Sequence, residues 1–256
     1  MGLPASGGLQ FPEGPIAMDD GSVLLVEIAR GTLSRVTPDG RIHVMSQLGG
    51  GPNGAAIGPD GRAYICNNGG FDWHRSAEHG IRPIGAASDY RTGRIECVDL
   101  ASGKVDILFE ASDKHRLCGP NDIVFDRHGG FWFTDMGKAR ARDVDRGAVC
   151  YAKADGSMIR EVIFPLDSPN GIGLSPRGDR LYVAETHTGR VFWWAVESPG
   201  VLAEDRERHV ERHRLAVLAI VGHRVERVAH GDARRAMTRE TTRETRDDDA
   251  RDDARD

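Results

Sequence analysis

Four residues stand one place after a proline in frames that nearly repeat. They are Glu13 in "FPEGPIAMDDGSVLLVE", Asn53 in "GPNGAAIGPDGRAYICN", Asn121 in "GPNDIVFDRHGGFWFTD" and Asn170 in "SPNGIGLSPRGDRLYVAE". A carboxylate and three carboxamides supply hard oxygen donors, the kind that Ca²⁺ or a similar divalent cation takes. A single Asn after Pro needs no ligand to explain it, since Asn readily completes a turn with its own backbone. Four such positions in register, one of them Glu, point instead to a shared set of oxygen donors. No Cys-x-x-Cys pair is present, which argues against a zinc or redox site.

The elements that must position these donors follow from the same frames. A Gly comes nine residues after each Pro (Gly21, Gly61, Gly129, Gly178), and the apolar run that follows ends on Glu27, Asn67, Asp135 or Glu185. Pro lacks an N–H and suits the start of a strand. The Gly permits a tight hairpin turn, and runs such as "FWFT", "AYIC" and "LYVA" are β-branched and aromatic. Third strands ("GTLSRV", "GRIECVDL", "GAVCYA", "GRVFWWAV") and fourth strands ("RIHVMS", "KVDILFE", "MIREVIF") follow. The prolines are 40, 68 and 49 residues apart. Four antiparallel strands in a unit of roughly 40–50 residues predict an all-β chain built as a β-propeller, with a β-sandwich as the alternative. The second unit is lengthened by "FDWHRSAEHGIRPIGAASDY", expected to be a loop over one face that carries His74. In a propeller each innermost strand starts near the central channel, so Glu13, Asn53, Asn121 and Asn170 are expected to face a common axis.

With these motifs in view, "FPEGP", "GPNDIVFDRHGGFWFTD" and "SPNGIGLSP" resemble the gluconolactonase, regucalcin (senescence-marker protein) and luciferin-regenerating-enzyme family over about residues 9–198. The resemblance implies a six-bladed propeller with one divalent cation in its channel, Ca²⁺ first, with Zn²⁺, Mg²⁺ or Mn²⁺ as alternatives. It maps three metal ligands onto Glu13, Asn121 and Asn170, and it implies hydrolysis of small sugar-type lactones. Asn53 and His74 are the candidate substrate contacts. The family's fourth ligand, an Asp in a later "PDG" motif that also serves as general base, has no matching position here, so no catalytic residue is assigned and the resemblance implies weakened metal affinity and turnover. The family's substrate-contacting Arg falls on Gly119.

Residues 201–256 contain 13 Arg and no Lys, 14 acidic residues, and no aromatic residue or Pro, so they cannot continue the strand pattern. The expected organisation is an incomplete propeller of about four blades over 9–200. A charged tail, helical in part or disordered, follows it. A truncated or frameshifted reading frame would produce such a chain, and a non-catalytic propeller fragment that binds a small ligand or partner is the rival reading. A formal charge of −5 without a basic stripe argues against nucleic acid as a partner. No stretch approaches the roughly 18 apolar residues of a membrane span. "MGLPASGGLQ" has no signal-peptide character. Scattered Cys66, Cys97, Cys118 and Cys150 suit reduced thiols and a cytoplasmic location.

Overall fold

Each sequence frame folds into one antiparallel sheet whose strands follow chain order from the inside out. The computed structural model describes residues 8–203 and 209–211. The first sheet contains β1 (Pro12–Ala17), β2 (Val23–Glu27), β3 (Thr32–Val36) and β4 (Ile42–Gln47). The second begins with β5 (Pro52–Ile57) and β6 (Ala63–Asn67). The chain then leaves it for a separate hairpin, β7 (Phe71–Ser76) and β8 (Gly80–Ala86), and returns for β9 (Arg94–Val98) and β10 (Val105–Phe109). The third holds β11 (Pro120–Phe125), β12 (Gly130–Asp135), β13 (Gly147–Lys153) and β14 (Ile159–Leu166). The fourth holds β15 (Pro169–Leu174), β16 (Arg180–Glu185), β17 (Arg190–Ser198), β18 (Val201–Leu202) and β19 (His209–Glu211).

The second strand of each sheet is buried on both faces, and period-two alternation shares its side chains between two neighbours. On β6, Ala63 and Ile65 pack with Leu24, Val26 and Leu33 of the first sheet. Its Tyr64 and Cys66 pack with Phe131 and Phe133 of the third. On β12 the intervening Trp132 turns the other way, towards Ile172, Leu181 and Val183 of the fourth sheet. Three apolar seams thus join four sheets face to face, the arrangement of neighbouring propeller blades.

Two features differ from the sequence reading. The insertion after Asn67 is a paired hairpin rather than a loop, because Phe71–Ser76 finds a full antiparallel partner in Gly80–Ala86 despite Pro83 and the flanking glycines. Strand structure also continues past residue 200: Pro199–Gly200 turns the chain so that β18 pairs with β17, and β19 pairs with β17 further along. Strands of two and three residues are too short to leave a periodic signature. The rest of the expected charged tail, 204–208 and 212–256, lies outside the described residues. Among the described residues all four cysteines are free thiols, and no helix is long and apolar enough to cross a membrane.

Candidate functional site

Glu13, Asn53, Asn121 and Asn170 each occupy the second place of an innermost strand, β1, β5, β11 and β15. Each of these strands has one more residue than the stretch opposite it. Registers slip between Glu13 and Ile16, Pro52 and Gly54, Pro120 and Ile123, and Pro169 and Ile172. A bulge of this kind bends the strand and re-aims the side chain beside it, so the same irregularity accompanies the donor in all four sheets.

The turn ahead of each inner strand is held by the polar residue that closes the second strand. Glu27 Oε2 accepts from Gln10 N (2.7 Å), Asn67 Oδ1 from Gly51 N (2.9 Å), and Glu185 Oε1 from Asp167 N (2.8 Å). Asp135 accepts from both Cys118 N (2.8 Å) and Gly119 N (2.5 Å). These four repeated polar residues are therefore braces for the donor turns. Burial raises the Asp135 carboxyl above its usual range, and the surrounding N–H groups of Cys118, Gly119 and Gly137 pull against that rise.

The donor segments touch one another in series. A Cβ on Gly14 would lie 2.7 Å from Ala55 N and 3.0 Å from Asn53 O; one on Gly54 would lie 2.4 Å from Asn121 O. Between the third and fourth sheets, Thr134 Oγ1 donates to Asn170 O (2.6 Å), and Asp122 Oδ2 accepts from Ile172 N (3.1 Å). The backbones of all four donor turns are thus brought together at one end of the inner strands.

The amide groups are oriented as well as gathered. Asn121 Nδ2 is tied back to Met136 Sδ (3.4 Å) and Asn170 Nδ2 to Thr186 Oγ1 (3.0 Å). Among the described residues no donor reaches the Oδ1 of either. Glu13 is open to solvent on one side, yet the protein around it holds its carboxyl above the usual range, against the pull of Gly14 N–H. Burial pushes the Asp122 carboxyl up to about 6, and the charge of Glu13 adds to that rise. Two carboxyls that repel each other, with no Lys or Arg acting on either among the described residues, beside amide oxygens left free, form a donor set that suits a hard dication. Among the described residues no three His, Cys, Asp or Glu side chains cluster as a metal site, so a cation here would rest on Glu13 and carbonyl oxygens.

The β7–β8 hairpin stands beside this end of the inner strands. Trp73 packs on Phe11, two residues before Glu13, with ring centroids 5.1 Å apart, and Arg75 Nη2 donates to Gln10 Oε1 (3.0 Å). His74 is exposed and sits opposite Arg82. Strand alternation turns it away from the face on which Trp73 meets Phe11, so it is not gathered with the other four. Beneath the hairpin lies Lys138, 2% exposed. Its Nζ donates to Gly70 O (2.8 Å) and Asn68 Oδ1 (3.0 Å), with the rings of Phe71 and Tyr90 at 3.9 and 5.2 Å. Burial brings this amine down to about 7, although Asp135 and Cys118 act in the opposite direction.

The sequence reading missed Asp122 and Lys138. For Asp122 a signal existed: the donor is followed by Gly in the frames of Glu13, Asn53 and Asn170, and by Asp only after Asn121. Lys138 gave none, since its partners lie 68 and 70 residues away. Gly119, where the family resemblance places an Arg, has no room for any side chain, because a Cβ would fall 2.5 Å from Gly137 O. A cleft of about 430 Å³ lined by His128, Tyr151, Lys153 and Asp155 lies by the β11–β12 turn, at the opposite end of the strands from the donors.

The family described as "SMP-30/Gluconolactonase/LRE-like region" matches residues 11–216, past the point at which the strand pattern fades in the sequence. A lactonase drp35 of Staphylococcus saprophyticus is 30% identical over 187 residues, 72% of this chain and 50% of its own length. A gluconolactonase of Zymomonas mobilis is 24% identical over 216 residues, 75% of this chain and 54% of its own. The chain spans about half the length of these curated relatives. A solved gluconolactonase structure from Xanthomonas campestris superposes with a TM-score of 0.59 at 23% identity, covering 77% of this chain and 61% of that one. At that identity the likeness speaks for the fold alone.

Proposed function

The chain belongs to the SMP-30/gluconolactonase/LRE-like family, and from that premise we propose that it is a hydrolase of small lactones that works with a divalent cation, Ca²⁺ in first place. The observation that carries this reading is the orientation of the amides: Asn121 and Asn170 are tied back by nitrogen and leave oxygen free, in the same strand position as the Glu13 carboxylate. Glu13, Asn121 and Asn170 would hold the cation. When bound, it would supply Lewis-acid polarisation of the lactone carbonyl and offset the charge that develops on its oxygen.

The chain's own residues supply the rest. Asn53, half-buried beside Gly14 and Gly54, offers an amide to an oxygen of the substrate. Trp73 and Phe11 wall one side of the mouth and limit the water around the reacting group. With Gly119 filled by backbone, no cationic side chain from that position reaches the substrate, which favours lactones that lack an anionic group.

Purified full-length chain tests the reading with D-glucono-1,5-lactone and an uncharged aliphatic γ-lactone, each in Ca²⁺ and in excess chelator. Turnover in Ca²⁺ is expected, lost on chelation, and Glu13→Gln should lower Ca²⁺ affinity by about 10–100-fold or more. A well-folded protein that binds Ca²⁺ but turns over neither lactone would mark it as a binding module, and the enzyme reading would fall.

A further inference from the structure

We propose that His187 is the proton-transfer residue of the site, a role that no residue fills in the sequence reading; the inference rests on the lactonase reading above. Three observations carry it. First, Ser168 immediately precedes Pro169 and Asn170, is 3% exposed, and holds φ at 53°. A non-glycine residue in this region is strained and persists only where its surroundings over-determine it, as at Phe11 (φ 58°) in the same place of the first frame. Second, Ser168 Oγ lies 2.6 Å from His187 Nδ1, and Asp167 Oδ1 lies 3.4 Å from the same nitrogen. Third, the loop that carries His187 is strapped to the donor turn, since Thr186 N donates to Ser168 O (3.1 Å) and Thr186 Oγ1 accepts from Asn170 Nδ2 (3.0 Å).

The chemistry follows from which ring nitrogen bears the hydrogen. The Ser168 hydroxyl can meet Nδ1 as acceptor or donor, but the Asp167 carboxylate only accepts, so a hydrogen on Nδ1 suits both neighbours and a lone pair suits the hydroxyl alone. The nearby carboxylate favours the Nδ1–H tautomer, in which Nε2 is the proton acceptor. Among the described residues Nε2 has no partner, and the side chain is 55% exposed. This is not a serine-nucleophile triad, because Ser168 and Asp167 meet the same nitrogen rather than opposite ones.

In the reaction, a water oxygen bonds to the lactone carbonyl carbon while one of its protons passes to His187 Nε2. The ring C–O bond then breaks, and His187 returns that proton to the departing ring oxygen. Lactone and water become a hydroxy acid, and His187 ends as it began. Ser168 and Asp167 act as positioning residues.

Three measurements test this. His187→Gln should lower kcat by about 100-fold or more, with KM and Ca²⁺ affinity close to wild type, and added imidazole should restore part of the rate. Ser168→Ala should lower kcat less. In the resting protein, ¹⁵N–¹H NMR of His187 should report the Nδ1–H tautomer, a readout independent of turnover. Near wild-type kcat in His187→Gln, or an Nε2–H tautomer, would overturn the assignment while leaving the lactonase reading in place. A wild-type chain without lactone turnover would remove both.

Discussion

Lys138 shows how a residue can be costly where it stands and still useful. A protonated amine has three N–H groups and a neutral amine two, and the two acceptors provided by Gly70 O and Asn68 Oδ1 match the neutral form. Its pKa is lowered from 10.5 to about 7 by burial. The folded state thus holds this proton less tightly than the unfolded chain. Stability should rise as pH rises from about 7 towards 10.5, with a slope of at most about 1.4 kcal/mol per pH unit, and the gain is lost as pH falls through 7. Urea unfolding of wild type and Lys138→Met across this window should show the difference between them drifting in the wild type's favour as pH increases. A constant difference would mean that Lys138 titrates as it does in the unfolded chain. Nothing in "DMGKARARD" marks that lysine as buried. Its environment is made by Asn68, Phe71 and Tyr90, which only the folded chain brings near. The donors were legible for the opposite reason: Glu13, Asn53, Asn121 and Asn170 recur in register within local frames.

At the scale of the element, the inner strand is the part that carries the oxygen donors. Its proline, bulge and donor form one module, and in the first two frames the glycine after the donor, Gly14 or Gly54, lets the neighbouring module approach closely. Gly54→Ala should test this, because the added methyl would fall 2.4 Å from the backbone oxygen of Asn121 and 2.7 Å from Asp122 Cα. Neither can swing aside as a flexible side chain could. We expect a loss of about 1–3 kcal/mol in unfolding free energy and weaker Ca²⁺ binding, measured by denaturant melts and calorimetric titration. Unchanged affinity in a destabilised variant would show that strand spacing does not govern the donors. The frames announced these strands because turn glycines and apolar runs are local signals. The polar residue closing each second strand was equally visible, but its task was not: Glu27, Asn67, Asp135 and Glu185 could have been ligands, and only hydrogen bonds to distant backbone show them to be braces. The β7–β8 hairpin stayed hidden because Gly80, Pro83 and Gly85 break up its second strand's alternation.

At the scale of the molecule, the three apolar seams and the serial contacts of the donor turns should make cation binding and unfolding a single linked equilibrium. A cation held between the first, third and fourth sheets would bind only when all three are in place. Ca²⁺ at a hundredfold excess over its Kd should therefore add about 2.7 kcal/mol to the stability of the full chain. The effect should appear as a rise in Tm that chelator reverses and Glu13→Gln largely removes. Mg²⁺ at equal concentration should give a smaller rise, since a site of protein carbonyls and one carboxylate fits the larger ion better. A Tm indifferent to Ca²⁺ would separate the donor ring from the stability of the fold.

The fourth frame has one residue more than the others, and the hairpins show where it goes. The turns after β1, β5 and β11 close with Met18 N to Ser22 O, Gly58 N to Arg62 O and Asp126 N to Gly130 O, whereas the turn after β15 closes with Ser175 N to Arg180 O. The surplus is absorbed at the end of the sheet remote from Glu13 and its companions, and the register of Pro169 opposite Glu185 matches that of Pro120 opposite Asp135. Length variation and the oxygen donors are therefore segregated to opposite poles of the same strands. For protein engineering, the remote loops are natural grafting points for tags, reporters or epitopes, while a single inserted codon between the prolines and the bulges would scramble the donor pole.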